Sequence, residues 1–236
     1  MAAAAYDALH IVSARHALNL ELSIMKFYSF PPSPNVRKVN AVIAHLAIAD
    51  IEHRIVNLAK GEHKRPEFLA INPMGKLPAL ADDSGLLLWE SNAICQFLCE
   101  REGDTPLYPR EPRVRADIAR WLFWEASSWS PAAEVLTHEN VRKPMLGVGA
   151  PDAARVKQGE EQFRPLAALL DRQLAERKFL VGNTVTLADF VVGGAVTYLE
   201  RGRFPIAAFP HLRAWWQRLG EIPAWQNTVP SANLPH

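Results

Sequence analysis

"KGEHKRPEFLAINPMGKLPALADDSGLLLWESNAI", residues 60–94, changes periodicity three times in quick succession. "HKRPEFLAI" has helical spacing and is short. "LPALAD" and "GLLLWE" are apolar runs of strand length flanking "DSG", a turn signal that joins them as a hairpin. In "WESNAI" a strand passes directly into a helix, with Ser91 at the N-cap position. The exposed amides and positive dipole end of such a start form an anion site as well as a cap.

The pattern continues upstream. "KFYSF" reads as a compact strand, and Pro34 suits the first position of a helix whose Val36, Val39, Val42, Ile43 and Leu46 share one face. "IEHRIVNL" alternates as a second strand. With "SNAICQFLCERE" as the closing helix, residues 25–102 spell βαβαββα.

Downstream the strands stop. "GDTPLYPREP", residues 103–112, is rich in proline and turn residues and reads as a linker. Val114, Ile118, Trp121, Leu122 and Glu125 then trace a helix, followed by "AARVKQGEEQFRPLAALLDRQLAERK", "TLADFVVGGAVTYLE" and "FPHLRAWWQRLGEI". A small α/β domain is therefore followed by an all-helical one over residues 113–236. In "NTVTLADF", Thr186 and Asp189 have the spacing of a capping box, with Val185 and Phe190 as a hydrophobic staple. That assigns Asp189 to folding and not to catalysis. Residues 1–24 lack a convincing basic start, apolar core and cleavage site, so they read as an extension outside the main fold.

Composition limits the function classes. Of 236 residues, 49% are hydrophobic and 22% charged, with a net charge of +1, which gives no electrostatic reason for nucleic acid or a membrane surface as partner. No apolar run reaches the roughly 20 residues of a membrane helix. Two cysteines four residues apart, Cys95 and Cys99, share a helix face too poorly placed for a disulfide and form no metal motif. They read as reduced core residues in a reducing, cytoplasmic compartment.

Residues 60–94, together with "TLADF" and "FPHLRAWWQRL", resemble the glutathione S-transferase family over roughly residues 25–228. The resemblance implies an N-terminal thioredoxin-like domain, a C-terminal helical bundle, glutathione as cosubstrate, no metal, a homodimer and a role in detoxification. It also implies a cis Leu77–Pro78 bond that turns backbone outward to the cysteinyl part of glutathione. Glu90 and Ser91 would receive the γ-glutamyl end, and His63 and Lys76 the glycyl carboxylate.

Theta-, delta- and phi-like members place an active-site serine at the start of the first helix, where Ser33 stands in "SFPPSPNVRK", and some place an arginine at the position of Arg37. "SPN" also echoes the Thr-Pro-Asn of nu-type bacterial relatives, which makes Asn35 a second polar contact. Tyr28 fits the tyrosine-using branches poorly, and cysteine-using branches would need a cysteine at position 33. A hydroxyl and a helix N-terminus stabilise a nearby thiolate, the nucleophilic form of a thiol. Arg37 is compatible with a structural role. Trp121 and Trp124 in "RWLFWEASSWSPAAEV" are candidates for an apolar substrate site between the domains, although aromatics at this spacing mostly build cores. The expected activity is conjugation of the glutathione thiolate to a small apolar electrophile. Glutathione-dependent disulfide reduction or isomerisation, and a non-catalytic transferase-like interaction module, are the alternatives.

Overall fold

The computed structural model describes residues 24–230; the extension expected over residues 1–24 lies, but for Ile24, outside them. Four strands form one sheet in the order β2-β1-β3-β4. β1 (Met25–Ser29) runs parallel to β2 (Ile51–Ile55) and antiparallel to β3 (Ala79–Ala81), which pairs antiparallel with β4 (Leu87–Trp89). Asp82 fixes the β3–β4 turn by accepting from the Ser84 and Leu86 amides at 2.9 and 3.0 Å. Helices α1 (Pro34–His45), α2 (Pro66–Leu69) and α3 (Ser91–Arg101) complete the thioredoxin-like half. Val36, Val39 and Val42 of α1 and Ile94, Cys95, Leu98 and Cys99 of α3 meet Met25 and Phe27 in the core. Neither cysteine is in a disulfide; burial pushes both thiols up, Cys99 to about 12, so neither is a nucleophile near neutrality.

The second half is all helical. One long interrupted helix comprises α4 (Pro112–Trp124), a wide π turn (Glu125–Trp129), α5 (Ser130–Thr137), a second wide turn (His138–Arg142) and α6 (Lys143–Leu146). Each wide turn ends two residues before a proline, Pro131 and Pro144. A proline lacks the amide for the i−4 carbonyl and its ring crowds that carbonyl, and a widened preceding turn relieves both. α7 (Ala153–Leu174), α8 (Leu187–Ala195), α9 (Pro210–Gly220) and α10 (Pro223–Gln226) pack around it. None of the described helices is long and apolar enough to cross a membrane.

α8 is shorter than "TLADFVVGGAVTYLE" suggests: it ends at Ala195, and residues 196–203 form turns. Gly193 and Gly194 weaken its last turn, and β-branched Val196 and Thr197 follow. The glycines serve packing instead. A Cβ on Gly194 would lie 3.0 Å from Lys38 Cβ of α1, and one on Gly193 would meet Leu219 at 2.5 Å.

One buried polar cluster joins the two halves, and a second organises the helical half. Lys38 Nζ donates to Glu125 Oε1 and Asn92 Oδ1, each at 3.0 Å, while Asn92 Nδ2 donates to Glu125 Oε2 and to the Leu122 carbonyl. The ammonium and the carboxylate thus keep hydrogen-bond partners in a dry site, without which burying them would be costly. Asp189, fully buried, accepts from the Thr186 amide and hydroxyl through Oδ2, and from the Leu180 amide and Trp215 indole through Oδ1. Burial pushes its carboxyl up, against four donors that favour the ionised form.

Glu139 in the second wide turn accepts from the Asp152 amide and from Lys143 Nζ, both at 2.8 Å. The Asp152 amide, with Lys143, holds its carboxyl below the usual range. A depressed folded-state pKa stabilises the fold above the unfolded value and loses that contribution as pH falls through the folded one. Glu139→Gln is therefore expected to lower Tm near neutrality, with the gap to wild type closing on acidification below about pH 4, in thermal melts across that range.

Candidate active site

Strand register gathers the predicted residues at one end of the sheet. Ser29 at the end of β1 pairs with Ile55 at the end of β2, and Ala79 at the start of β3 pairs with both Tyr28 and Trp89. The segments leaving that end carry Ser33, His63, Lys76, Leu77, Pro78, Glu90 and Ser91. Ser33, His63, Lys76 and Leu77 line a cleft of about 600 Å³, whose far wall is Thr137, Val141, Arg142, Met145, Leu146 and Tyr198 from the helical half.

Ser33 occupies the N-cap of α1 through its backbone. Its carbonyl accepts from the Val36 and Arg37 amides at 3.1 Å, and its own amide donates to the Phe30 carbonyl at 2.9 Å. The hydroxyl makes no cap bond, so it is uncommitted and half-buried at the cleft. Tyr198 braces this turn from the other half, donating its hydroxyl to the Pro32 carbonyl at 2.6 Å. Arg37 points elsewhere: its guanidinium lies 3.9 Å over the Trp225 ring and donates to the Trp225 carbonyl, and burial pushes its pKa down to about 10. Asn35 is exposed and does not line the cleft. Tyr28 packs edge-on against Phe68, away from the cleft.

The turn "NPMG" sets His63 and Lys76 side by side. Asn72 Nδ2 donates to the Lys76 carbonyl at 2.7 Å, and its Oδ1 accepts from the Met74 amide at 3.0 Å. Gly75 has a φ of 59°, and an added Cβ would lie 3.0 Å from the His63 carbonyl. Gly75→Ala is expected to lower stability by about 1–3 kcal/mol in urea unfolding, the range of a non-glycine residue held at positive φ. His63 Nδ1 is buried at the cleft without a hydrogen-bond partner among the described residues. The Leu77–Pro78 peptide is cis, and Pro78 is buried behind Leu77.

At the end of β4 the N-cap is Glu90, not Ser91; Ser91 is the first helical residue, and neither side chain makes a cap bond. Glu90 has a φ of 71°, which a non-glycine residue adopts only at a cost of about 1–3 kcal/mol. Neither residue lines the cleft, although the Ala79–Trp89 pairing sets them beside Pro78. The aromatic candidates are placed differently from expectation. Trp121 is 2% exposed in the core, edge-on to Trp124, and Trp124 stacks on fully buried Trp129; neither lines the cleft. The apolar wall comes from α5, α6 and the wide turn between them. Nothing in the sequence marked that wall, because it depends on how the long helix is interrupted, nor Tyr198, which reaches the cleft from the turns that follow the early end of α8.

A family model described as "Glutathione S-transferase, N-terminal domain" matches residues 23–100, and one described as "Glutathione S-transferase, C-terminal domain" matches residues 128–223. Glutathione S-transferase 3 of Zea mays is 38% identical over 218 residues, 89% of this chain and 96% of its own length. A glutathione S-transferase of Hyoscyamus muticus is 33% identical, covering 87% of this chain and 97% of its own. The glutathione-bound theta class glutathione S-transferase of Xanthomonas axonopodis pv. citri superposes with a TM-score of 0.79 at 32% identity, over 89% of this chain and 98% of that one.

Proposed function

This chain belongs to the glutathione S-transferase family, and from that premise we propose that Ser33 stabilises the glutathione thiolate for attack on an apolar electrophile. The observation that carries the proposal is the Ser33 hydroxyl, uncommitted within the cleft at the positive end of α1. A free thiol has a pKa of about 8.5 and is only a few per cent ionised at neutrality. Depressing it by about two units requires roughly 2.7 kcal/mol of preference for the anion. A hydroxyl donor supplies about 1.5–3 kcal/mol to a charged acceptor, and a helix terminus up to about 1 kcal/mol. These contributions suffice without a general base. The thiol proton leaves to solvent, the sulfur forms a bond to the electrophilic carbon, and the leaving group departs with the bonding pair.

The remaining assignments follow the tripeptide. Lys76 and His63 receive the glycyl carboxylate, Leu77 pairs its backbone with the cysteinyl unit, and Ser91, oriented with Glu90 at the α3 start, takes the γ-glutamyl carboxylate. Asn35 stays at the helix start as a polar neighbour. Support comes from the relative crystallised with glutathione and from the common sheet end these residues occupy. Lys76→Ala is expected to raise KM for glutathione about tenfold with kcat nearly unchanged, the signature of a group that binds ground and transition states alike. Parallel assays with an aryl halide and a glutathione-capped disulfide decide between conjugation and disulfide reduction: the proposal requires turnover of the former.

The chain acts as a homodimer in this reading. Edge strand β4 exposes Leu87 and Trp89, and α4 exposes Phe123 at 76%, apolar surface that is costly to leave wet. The Asn92–Leu122 hydrogen bond ties α4 to the first turn of α3, the helix that follows β4 directly. Sedimentation at micromolar concentration is expected to give twice the chain mass, and Phe123→Asp to shift it toward the monomer.

A further inference from the structure

The far wall of the cleft is carbon surface interrupted by two longer polar side chains. Tyr198 has its hydroxyl proton committed to the Pro32 carbonyl, which leaves Arg142, among the described residues, as the charged side chain lining the cleft from the helical half. Among the described residues, no acidic side chain lines the cleft.

The placement of Arg142 is built into the helix. Regular α-helical geometry turns about 100° per residue, so steps of four residues drift off one face. The wide turn His138–Arg142 cancels part of that drift, which keeps Thr137, Val141 and Met145 on the cleft with Arg142 beside them. Glu139, anchored to the Asp152 amide and Lys143, fixes the rotation from the far side. Among the described residues, Arg142 forms an ion pair with Glu134 at 2.7 Å, with side chains 39% and 49% exposed. Exposed pairs of this kind are weak and screened by salt, so a ligand anion competes for the guanidinium.

We infer that Arg142 selects electrophiles carrying a carboxylate on an apolar body. The inference rests on the transferase reading above: Lys76 and His63 are occupied by the tripeptide's own carboxylate, and Arg142 is left to meet a second anion from the opposite wall. A guanidinium offers a planar pair of donors that matches a carboxylate, whereas an uncharged isostere leaves its charge unanswered.

The probes are 4-chloro-3-nitrobenzoate and 4-chloro-3-nitrobenzamide, with glutathione as thiol. In both, the sulfur bonds to the chlorine-bearing carbon, chloride leaves with the bonding pair, and the thiol proton passes to solvent. The readout is the ratio of kcat/KM for benzoate over benzamide, each divided by its uncatalysed rate. Arg142→Gln is expected to lower this ratio about tenfold, the low end for a hydrogen bond to a charged group at a partly exposed site. Arg142→Glu is expected to lower it further, and Arg142→Lys to retain part of it. Glu134→Gln, which frees the guanidinium, is expected to raise it. Circular dichroism of each variant reports folding, and Glu134→Gln tests the inference even if the Arg142 variants unfold. A ratio unmoved by all four substitutions overturns the inference and leaves the transferase reading standing. Wild-type protein that turns over neither probe overturns both.

Discussion

Ser33→Ala is expected to lower kcat/KM for conjugation at neutral pH by roughly 10- to 100-fold while leaving KM for glutathione within about a factor of three. The size follows from removing one donor to an anion, about 1.5–3 kcal/mol, at about 1.36 kcal/mol per tenfold in rate. The asymmetry follows from geometry. Ser33 is the residue proposed to reach the sulfur, whereas the carboxylates and peptide of glutathione are assigned to Lys76, His63, Leu77 and Ser91. Because the Ser33 hydroxyl makes no cap bond and the backbone closes the Phe30–Ser33 turn unaided, the substitution leaves α1 intact. The residual rate comes from the helix end, so the pH–rate profile moves up by one to two units instead of flattening. Ser33→Thr retains most of the activity. An alanine variant with wild-type kcat and an unshifted pH profile is incompatible with the assigned role.

The largest stability effect is expected at Asp189. Asp189→Ala strands the Leu180 and Thr186 amides and the Trp215 indole, three buried donors whose hydrogen bonds Asp189 accepts. A stranded buried donor costs about 1–3 kcal/mol, so the sum is about 3–9 kcal/mol, against a typical total of about 5–15 kcal/mol for a folded domain. Urea unfolding is expected to show this as a collapse of the midpoint, or the variant does not accumulate as folded protein. Asp189→Asn, which keeps one acceptor oxygen and nearly the same volume, falls between the two. Its NH₂ meets another donor whichever way the amide is turned, so it does not reach wild type. Alanine at 189 with an unchanged midpoint contradicts the buried network.

Which parts of this were legible in the sequence depends on whether the signal is local. The βαβαββα order, the "DSG" hairpin and the Thr186–Asp189 capping box are local, set by alternation and short-range hydrogen bonds, and each is present in the fold. The sheet end that collects Ser33, Leu77 and Ser91 was legible because the segments leaving consecutive strands carry those residues. The register that sets Glu90 beside Pro78 was not legible, because it depends on pairing. Ser91 reads as an N-cap by residue type, yet Glu90 takes that position with a positive φ seldom adopted by glutamate. Lys38 in "NVRKVN" looks like an exposed residue on an amphipathic helix. Only the second half, packing Glu125 over it, makes it an interior cation. Trp121 and Trp124 behave as aromatics at helical spacing usually do and build core. The cleft wall from Thr137 to Leu146 was hidden because Pro131 and Pro144 widen the turns before them, which changes the face the later residues present.

The most direct measurement is a spectrophotometric pH titration of the thiolate of glutathione bound to the wild-type protein. The account predicts a midpoint about two units below the free thiol's 8.5, with most of that depression lost in Ser33→Ala. A bound thiol that titrates at its free value, or a depressed midpoint that survives removal of the Ser33 hydroxyl, contradicts it.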